Sequence, residues 1–457
     1  MRELQTQNEL LARLLGKQET EEGLLYRPLS FCVLAETEEG TAAYNSLTGE
    51  VLLLTPEEAE ALKRPIALPD PAAKKLIEKW FLVPLAHDDI GLCDEARTIA
   101  GDLQKNRGLN NYIIFTTTDC NARCFYCYEM GAPRQAMSAQ TARDAADFIL
   151  RTHGDDDVNL TWFGGEPLCN KEVIEIITSA LREAEVRYTS RITSNGYLFD
   201  AETVQRAKDV WHLKKAQITI DGTEETYNKT KAYIYKNAES PFRIVTDNIE
   251  RLMDLGIHVD IRMNLGEHNK QELYQLVDWL DRRYPDKKNL TAYAHPLYEY
   301  TEIGAQQRLH GSRVDRYEEN RKLLDYCKQK GMFRGYRLPD KIKLNNCQID
   351  SPSTVTIMTN GKLGKCEHFM DRESIGDIYS GITDPEKEAM LAKCGNSRAL
   401  CTGCAFYPIC RRPVMCDGNR FSICDTAVRL GMAGRVRDGI LRIFRAERKK
   451  AAEASAE

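Results

Sequence analysis

The stretch TTDCNARCFYCYEMG, residues 117–131, decides the fold class, because it carries three cysteines directly after a short apolar strand. Cys120, Cys124 and Cys127 are spaced C-x3-C-x2-C and follow the apolar residues 113–115. Such a loop can wrap three corners of a cubane [4Fe–4S] cluster, which usually takes four cysteines. Without a fourth cysteine, one iron is free to bind a small molecule. The spacing therefore predicts an iron–sulfur site at the end of a buried strand.

Two simpler uses of these thiols remain open. They could belong to a zinc site, although zinc prefers paired C-x2-C knuckles and four ligands. They could also be unrelated core thiols, since cysteine is often buried.

Length and composition limit the number of domains and the class of protein. The 457 residues allow two or three domains, and the net charge of −5 argues against a nucleic acid as main partner. No apolar run approaches the length of a membrane span, and the start MRELQTQNELLARLL lacks a secretory pattern. Fifteen cysteines then indicate metal or redox chemistry in a reducing cytoplasm, not a disulfide framework.

The first hundred residues predict a small α+β domain. Leucines 10, 11, 14 and 15 have helical spacing within residues 1–22, and AAYNSLTGEVLLL reads as strand, turn and strand. Thr55 and Glu58 form the pattern of a capping box that starts a helix, and a second helix is expected over about 71–81.

Residues 111–297 alternate strands and helices. Strands are predicted at 111–117, 158–163, 189–194, 215–220, 257–263 and 290–295, with helices such as 139–152, 171–184 and 270–283 between them. Six such repeats predict an α/β fold with parallel strands, because each crossover carries a helix. Beyond them, 298–343 is expected to be a charged helical connector, and 427–450 an Arg-rich helix before a tail.

Further motifs follow the next predicted strands. WFGGEP places Gly164, Gly165 and Glu166 after the second, ITSNG places Ser194 and Asn195 after the third, and ITIDG places Asp221 after the fourth. Together with the cysteine triplet, this set resembles radical S-adenosylmethionine (SAM) enzymes. Read without the resemblance, Asn-Gly and Asp-Gly are ordinary turn pairs.

The resemblance implies a partial (β/α)6 barrel, a [4Fe–4S] cluster on the triplet, and cleavage of SAM to a 5′-deoxyadenosyl radical. It implies that Gly164, Gly165 and Glu166 contact the SAM amino group, and that Ser194 or Asn195 contacts the ribose. Asp221 would lie near the nucleoside.

Three more residues are implied with less support from the pattern. Tyr126 occupies the aromatic position whose main chain approaches adenine in relatives, and packing against the cluster is the alternative. Relatives carry Arg where this chain has Lys231, which lacks the bidentate fork that suits the SAM carboxylate. Arg262 is the other candidate for that role, and either cation could simply be solvated.

A second set of cysteines fills residues 347–424. The patterns C-x13-G-x4-C, with Gly361 inside it, and C-x2-C-x5-C-x5-C-x7-C resemble the SPASM domain, which holds up to two auxiliary [4Fe–4S] clusters. The resemblance implies an outer cluster on Cys401, Cys404, Cys410 and Cys424, and an inner one on Cys347, Cys366 and Cys416.

The inner set is one ligand short, and the last two gaps depart from the usual pattern. Cys394 and Cys327 are nearby candidates for the eighth ligand, each more simply explained as a buried thiol. Otherwise one iron is open to a substrate thiolate. A zinc-binding domain that only stabilises the fold is the alternative.

Glu367 follows Cys366 and is the candidate catalytic base, since sulfatase-maturing relatives place an acid beside the corresponding Cys. An acid there could take the proton lost when carbon is oxidised. A solvated hairpin end is the alternative reading.

The N-terminal module resembles the recognition element of enzymes that modify ribosomally made peptides, which binds a leader as an added strand. A structural cap on the barrel is the alternative. The expected domains are 1–105 (peptide recognition), 106–300 (radical SAM barrel), 301–345 (connector), 346–426 (SPASM) and 427–457 (helix and tail).

These resemblances predict a cytoplasmic peptide maturase that forms an intrapeptide crosslink, with a Cys thioether favoured. The expected partners are a precursor peptide with its leader and an electron donor such as flavodoxin or ferredoxin, without nucleic acid or membrane. A formylglycine-forming sulfatase-type maturase, a carbon–carbon crosslinking enzyme and a non-catalytic iron–sulfur or zinc protein are the alternatives.

Overall fold

A computed structural model describes residues 1–21, 23–67, 71–103, 108–235, 239–297, 300–345, 347–416 and 423–454. Residues 105 and 106 at one predicted domain boundary, residue 346 at another, and the end of the predicted tail lie outside these ranges. None of the helices in these ranges combines the length and apolar character that crossing a bilayer demands.

The N-terminal segment consists of short strands and helices. In chain order they are β1 (Arg2–Gln5), α1 (Glu9–Leu15), β2 (Leu25–Pro28), β3 (Cys32–Thr37), β4 (Gly40–Asn45), β5 (Val51–Leu53), α2 (Pro56–Ala61), β6 (Ile66–Ala67), α3 (Pro71–Glu78), β7 (Leu82–Pro84) and α4 (Asp89–Asp102).

Two small antiparallel sheets result, with strand orders β1-β5-β4-β3 and β6-β2-β7. The predicted hairpin is β4–β5, and the helix predicted near the N-terminus is α1. The sequence reading missed β1, which is a strand because it pairs with the edge of β5. The predicted capping box is present: Glu58 N donates to Thr55 Oγ1 (3.3 Å), and Thr55 N donates to Glu58 Oε2 (2.9 Å).

The central segment contains the predicted βα repeats. In chain order they are β8 (Asn111–Thr117), α5 (Ala139–Thr152), β9 (Val158–Gly164), α6 (Lys171–Glu183), β10 (Tyr188–Ser194), α7 (Ala201–Asp209), β11 (Leu213–Thr219), α8 (Glu224–Lys231), α9 (Pro241–Asp254), β12 (His258–Leu265), α10 (Glu272–Arg283) and β13 (Leu290–Pro296).

All six strands pair in parallel with their sequence neighbours, from β8 to β13. The predicted parallel α/β sheet is confirmed. Parallel strands place all their carboxyl ends at one edge, so the motifs that follow β8, β9, β10 and β11 meet there.

The connector differs from the expectation of a helical segment over 298–343. It contains α11 (Glu302–Gln306) and α12 (Arg313–Gln329), but residues 330–345 form no helix. Gly331 and Gly335 adopt left-handed φ angles of 71° and 78° in that stretch, which a continuing helix does not allow.

The C-terminal segment adds β14 (Thr354–Ile357), β15 (Lys362–Gly364), β16 (Gly376–Asp377), β17 (Gly381–Ile382), α13 (Pro385–Leu391), α14 (Arg398–Cys401) and α15 (Thr426–Ala454). β14 pairs in parallel with β8, so the hairpins of this segment extend the barrel sheet at its first strand. Gly361 turns the β14–β15 hairpin at a φ of 81°, which explains the glycine in C-x13-G-x4-C.

The long helix α15 joins the two ends of the chain. Val436, Ile440 and Phe444 on its buried face form one core cluster with Leu4 and Tyr44 of the N-terminal sheet. The helix is somewhat longer than the predicted 427–450.

Candidate functional site

The cysteine triplet lies in the loop after β8, at the carboxyl edge of the sheet. Its thiols are half-buried, and the Cys124 thiol is close enough to those of Cys120 and Cys127 for their charges to interact. Burial raises the pKa of Cys120 to about 12 and that of Cys127 to about 11. Within the described ranges, no three His, Cys, Asp or Glu side chains surround the position of a single metal ion.

The donors present fit an iron–sulfur cluster. Three thiols on one short loop are the ligands such a cluster takes, and Ala122 N already donates a hydrogen bond to Cys120 Sγ (3.4 Å). Cys127 N donates to Cys124 O (3.2 Å), which keeps the loop compact.

The glycine pair after β9 holds the start of this loop. Gly165 N donates to Thr117 O (3.0 Å), and Glu166 N donates to Asp119 O (2.9 Å). A Cβ on Gly164 would lie 2.0 Å from Thr117 O, and one on Gly165 2.4 Å from Asp119 O. The neighbours of these glycines in the structure are thus carbonyls at the start of the cysteine loop, and their contacts with the SAM amino group stay predictions.

Glu166 is completely buried and joins β9 to β10. Its Oε1 accepts from Ser194 Oγ (2.9 Å) and Leu168 N (3.1 Å), and its Oε2 accepts from Asn195 N (2.7 Å). Burial raises the pKa of Glu166 to about 7. Three residues predicted to bind SAM are thus brought together, while their contacts with SAM stay predictions.

Asn195 also reaches the cysteine loop. Its Nδ2 donates to Asn121 Oδ1 (2.6 Å) and lies 3.8 Å from Cys120 Sγ. Asn121 was not singled out from the sequence, although its position beside Cys120 was a usable signal.

Tyr126, a half-buried residue of the cysteine loop, forms a triad with the buried Asp221 and Lys231. Asp221 Oδ2 accepts from the Tyr126 hydroxyl and pairs with Lys231 Nζ (3.2 Å), which also donates to the Tyr126 hydroxyl (2.9 Å). Asp221 Oδ1 accepts from Asn264 N (2.9 Å) on β12.

Burial acts to lower the pKa of Lys231, but the charge of Asp221 overrides it and holds that pKa well above its usual value. Lys231 therefore has a charged protein partner. Its role toward the SAM carboxylate stays a prediction, as do the roles of Asp221 and Tyr126 toward the nucleoside and adenine.

A cavity of about 540 Å³ opens at this edge of the sheet. Its wall includes predicted residues from four separate segments: Tyr126, Cys127, Gly164, Gly165, Arg262 and Glu367. Arg262 lies on β12 with its Nε 3.1 Å from Asn264 Oδ1. The structure thus places the cysteine loop, the glycine pair and the candidate base around one space.

The part of the cavity wall that contains Cys127 is acidic and aromatic. Glu367 Oε2 is buried without a hydrogen-bond partner, and Oε1 lies 3.8 Å from His368 Nε2. Glu129 and Tyr128, missed in the sequence, line the same wall, and burial raises the pKa of Glu129 to about 7. The signal available was that Glu129 follows a cluster cysteine by two positions.

The second cysteine set divides into two groups. The thiol of Cys366 interacts electrostatically with Cys347 and Cys416. The thiol of Cys401 interacts in the same way with three other thiols, and these four form the second group: Cys401, Cys404, Cys410 and Cys424. These groups have the same members as the inner and outer sets implied from the sequence, whose ligation stays a prediction.

The two candidates for the eighth cluster ligand are Cys327 and Cys394. Cys327 on α12 is fully buried in the main core, where burial raises its pKa to about 12. Cys394 is half-buried and forms an isolated strand bridge with Pro413. The eighth ligand stays unassigned.

Comparison with known families agrees with this geometry. Residues 114–280, which include the cysteine loop and the motifs after β9, β10 and β11, match the model of the Radical SAM superfamily. The chain contains a radical SAM domain.

Curated relatives of the radical SAM protein are distant. An uncharacterized protein of Methanocaldococcus jannaschii is 29% identical over 157 residues, or 30% of this chain and 53% of that protein. Fe-coproporphyrin III synthase of Methanosarcina barkeri is 24% identical over 165 residues, or 36% of this chain and 39% of that enzyme. The chain thus spans about half or less of the length of these relatives.

Among solved structures, anSMEcpe with bound AdoMet and the Cp18Cys peptide is similar to 75% of this chain and 99% of its own length. The TM-score is 0.53 at 15% identity. Three quarters of this chain therefore shares a fold with that protein.

Proposed function

We propose that the protein is a radical SAM enzyme that forms an intrapeptide crosslink, a Cys thioether in the first instance, in a ribosomally made precursor peptide. The observation that carries this proposal is the 540 Å³ cavity, whose wall joins the cysteine loop, the Gly164–Gly165 pair and Glu367. The anSMEcpe structure, which holds both AdoMet and a peptide, supports a peptide substrate in this fold.

The chain's own residues hold the site in place. When bound, the cluster and SAM supply an electron and a deoxyadenosyl radical that removes hydrogen from the substrate. Glu166 and Asn195 anchor the start of the cysteine loop, and Asp221 and Lys231 hold the hydroxyl of Tyr126, a residue of that loop that lines the cavity. Arg262 offers a positive charge in the cavity for the SAM carboxylate.

Glu367 is assigned as the base. Its Oε2 lacks a hydrogen-bond partner and its side chain lines the cavity, so it can accept the proton released when the substrate carbon is oxidised. Cys366, the adjacent residue, belongs to the inner thiol group.

The two thiol groups of the C-terminal segment are proposed to bind two auxiliary [4Fe–4S] clusters. The inner group has three matched cysteines, so one iron would be open to a substrate thiolate. This shortfall favours a thioether over a carbon–carbon crosslink. A flavodoxin or ferredoxin in the cytoplasm is the proposed electron donor.

The N-terminal sheet is proposed to bind the leader. β3 is an edge strand in the order β1-β5-β4-β3, and an edge can accept an added strand through main-chain hydrogen bonds.

The test is SAM cleavage by the cluster-loaded protein. After anaerobic reconstitution, dithionite and SAM should yield 5′-deoxyadenosine in the wild type. Cys124→Ala should abolish the product, whereas Cys32→Ala, a matched change of a half-buried thiol in β3, should leave it intact. A cluster-loaded wild type that makes no deoxyadenosine would contradict the proposal.

The product then separates the alternatives. With the precursor peptide, mass spectrometry should show loss of two hydrogens and an alkylation-resistant Cys. Formylglycine in a sulfatase peptide would instead favour the sulfatase-type maturase. Glu367→Gln should keep deoxyadenosine formation and lose the modified peptide.

A further inference from the structure

The loop between Cys401 and Cys410 packs against the N-terminal segment. We call residues 401–410 the outer-cluster loop, because they supply three of the four thiols of the second group. Tyr407 belongs to a core cluster, and Cys401 packs against it. Other members of this cluster come from the N-terminal segment: Leu29, Phe31, Leu47, Val83, Ile90, Cys93 and Ala96. The N-terminal segment and the outer-cluster loop therefore share one core.

Arg97 on α4 binds the end of this loop. Its Nη2 donates to Tyr407 O, and it lies 3.2 Å from Pro408 O and 3.3 Å from Cys410 O. The guanidinium carbon also lies 4.5 Å from the centre of the Tyr407 ring. Because a guanidinium is planar and offers its donors in a rigid fork, Arg97 fixes the carbonyls of the loop relative to α4.

Asp94, one turn earlier on α4, holds Arg97 and the loop together. The Arg97 side chain is only 10% exposed, and its Nη1 lies 3.6 Å from Asp94 Oδ1. The same carboxylate oxygen accepts from the Tyr407 hydroxyl (2.6 Å). Residues three apart on a helix are neighbours on its surface. One turn of α4 therefore contacts both the backbone and a side chain of the outer-cluster loop.

Two further contacts join the same parts of the chain. Ser46 Oγ, in the turn between β4 and β5, donates to Ala405 O (2.6 Å). Arg398 pairs with Asp88, the residue that caps α4 (3.0 Å). That pair is exposed, and exposed ion pairs contribute little stability. The buried Arg97 is the contact that acts on the backbone of a cluster cysteine.

The carbonyls that Arg97 binds also have donors outside the N-terminal segment. Asn396 Nδ2 donates to Cys410 O (2.8 Å), and Lys343 N donates to Pro408 O (2.9 Å). These donors come from the C-terminal segment and the connector, whereas Arg97 comes from α4. Loss of Arg97 should therefore loosen the loop locally without unfolding the C-terminal segment.

We propose that Arg97 is a positioning residue of the outer cluster, so that the N-terminal segment completes this cluster site. The inference rests on the proposed outer cluster, whose ligands are Cys401, Cys404, Cys410 and Cys424. The donors fit, because these four thiols lie close enough for their charges to interact and a [4Fe–4S] cluster usually takes four cysteines. By fixing the backbone of Cys410, Arg97 keeps its thiol among the other three.

Protection of individual thiols in the cluster-loaded full chain tests this role. Iodoacetamide and an iron chelator are added under anaerobic conditions, and peptide mapping by mass spectrometry follows the alkylation of each cysteine with time. A thiolate bound to iron is not free to react, so cluster ligands should be protected in the wild type.

Arg97→Met removes the donors of Arg97 and keeps an apolar side chain against the Tyr407 ring. The four outer thiols should then be alkylated about fivefold to tenfold faster, because a charged hydrogen bond to the loop is lost. The triplet thiols Cys120, Cys124 and Cys127 should react at the wild-type rate. Iron analysis after the treatment should find about four fewer irons per chain than in the wild type.

Two more variants separate positioning from a loss of folding. Arg97→Lys retains a positive charge and a donor but not the fork, so it should restore part of the protection. Arg64→Met is the matched control, because Arg64 is an exposed residue of the same segment. It should change the alkylation rates by less than about twofold.

Three outcomes would overturn the inference. Equal alkylation of the outer thiols in Arg97→Met and Arg64→Met would remove Arg97 from the cluster site. Equal acceleration at the triplet and at the outer thiols would show a general loss of folding. A wild type with a protected triplet and freely alkylated outer thiols would contradict the proposed outer cluster itself. That last result concerns the wild type alone, so failure of the proposed cluster is distinct from failure of the role of Arg97.

Discussion

Replacing Lys231 by Met tests the triad of Tyr126, Asp221 and Lys231. Lys231 Nζ lies 3.2 Å from Asp221 Oδ2, and both side chains are almost completely buried, with 3% and 0% exposure. Methionine keeps the length of the side chain and removes its charge. The Asp221 carboxylate would then be buried without its cation, although Asn264 N and the Tyr126 hydroxyl still donate to it.

The expected cost is large. Removing one partner of a buried ion pair costs about 3–5 kcal/mol, because the remaining charge is uncompensated. In a chain of this length, about 1–2 °C of Tm is lost per kcal/mol, so the Tm should fall by about 5 °C. The double variant Lys231→Met/Asp221→Asn removes both charges and should lose less than about 2 kcal/mol.

Thermal unfolding of the cluster-loaded protein under anaerobic conditions measures this effect. Lys229→Met is the matched control, because Lys229 lies on the same helix, α8, and is exposed. It should change the Tm by less than about 1 °C. Two results would refute the argument that Asp221 depends on Lys231. One is a Lys231→Met protein that is as stable as the Lys229→Met control. The other is a double variant that is less stable than Lys231→Met alone.

Two further predictions concern packing and pH. Gly165→Ala should lower the amount of bound iron and the formation of deoxyadenosine, because its Cβ would lie 2.4 Å from Asp119 O. Gly101→Ala is the control, because Gly101 lies in a helix with no atom near the added Cβ, and it should raise the free energy of unfolding by about 0.5–1 kcal/mol. Iron analysis measures the first effect, and thermal unfolding measures the second. Burial acts to raise the pKa of Asp89, but hydrogen bonds from His87, Arg27 and Ser30 hold it well below its usual value. The stabilisation from Asp89 is therefore present above about pH 4 and lost as the pH falls below it, and Asp89→Asn should flatten that part of the pH–stability profile.

Much of the fold could be read from local patterns. The six parallel strands were predictable because alternating apolar strands and helices leave few other topologies, and the positions of the cysteines and glycines after those strands identified the radical SAM domain. β1 could not be read in this way, because a four-residue polar strand is defined by its pairing with β5. The irregular stretch 330–345 was also missed, since its charged composition resembles that of an exposed helix.

The sequence by itself determined the radical SAM domain and the candidate residues of its site: the thiols, the glycine pair, Glu166 and Glu367. The residue types and their spacing are properties of the amino-acid sequence itself. Parallel strands then bring the loops that follow them to one edge of the sheet. Only the tertiary structure decided that Lys231 pairs with Asp221 and that Gly165 packs against Asp119. Each of these is a contact between residues of separate segments, and the spacing of residue types along the chain does not record such contacts.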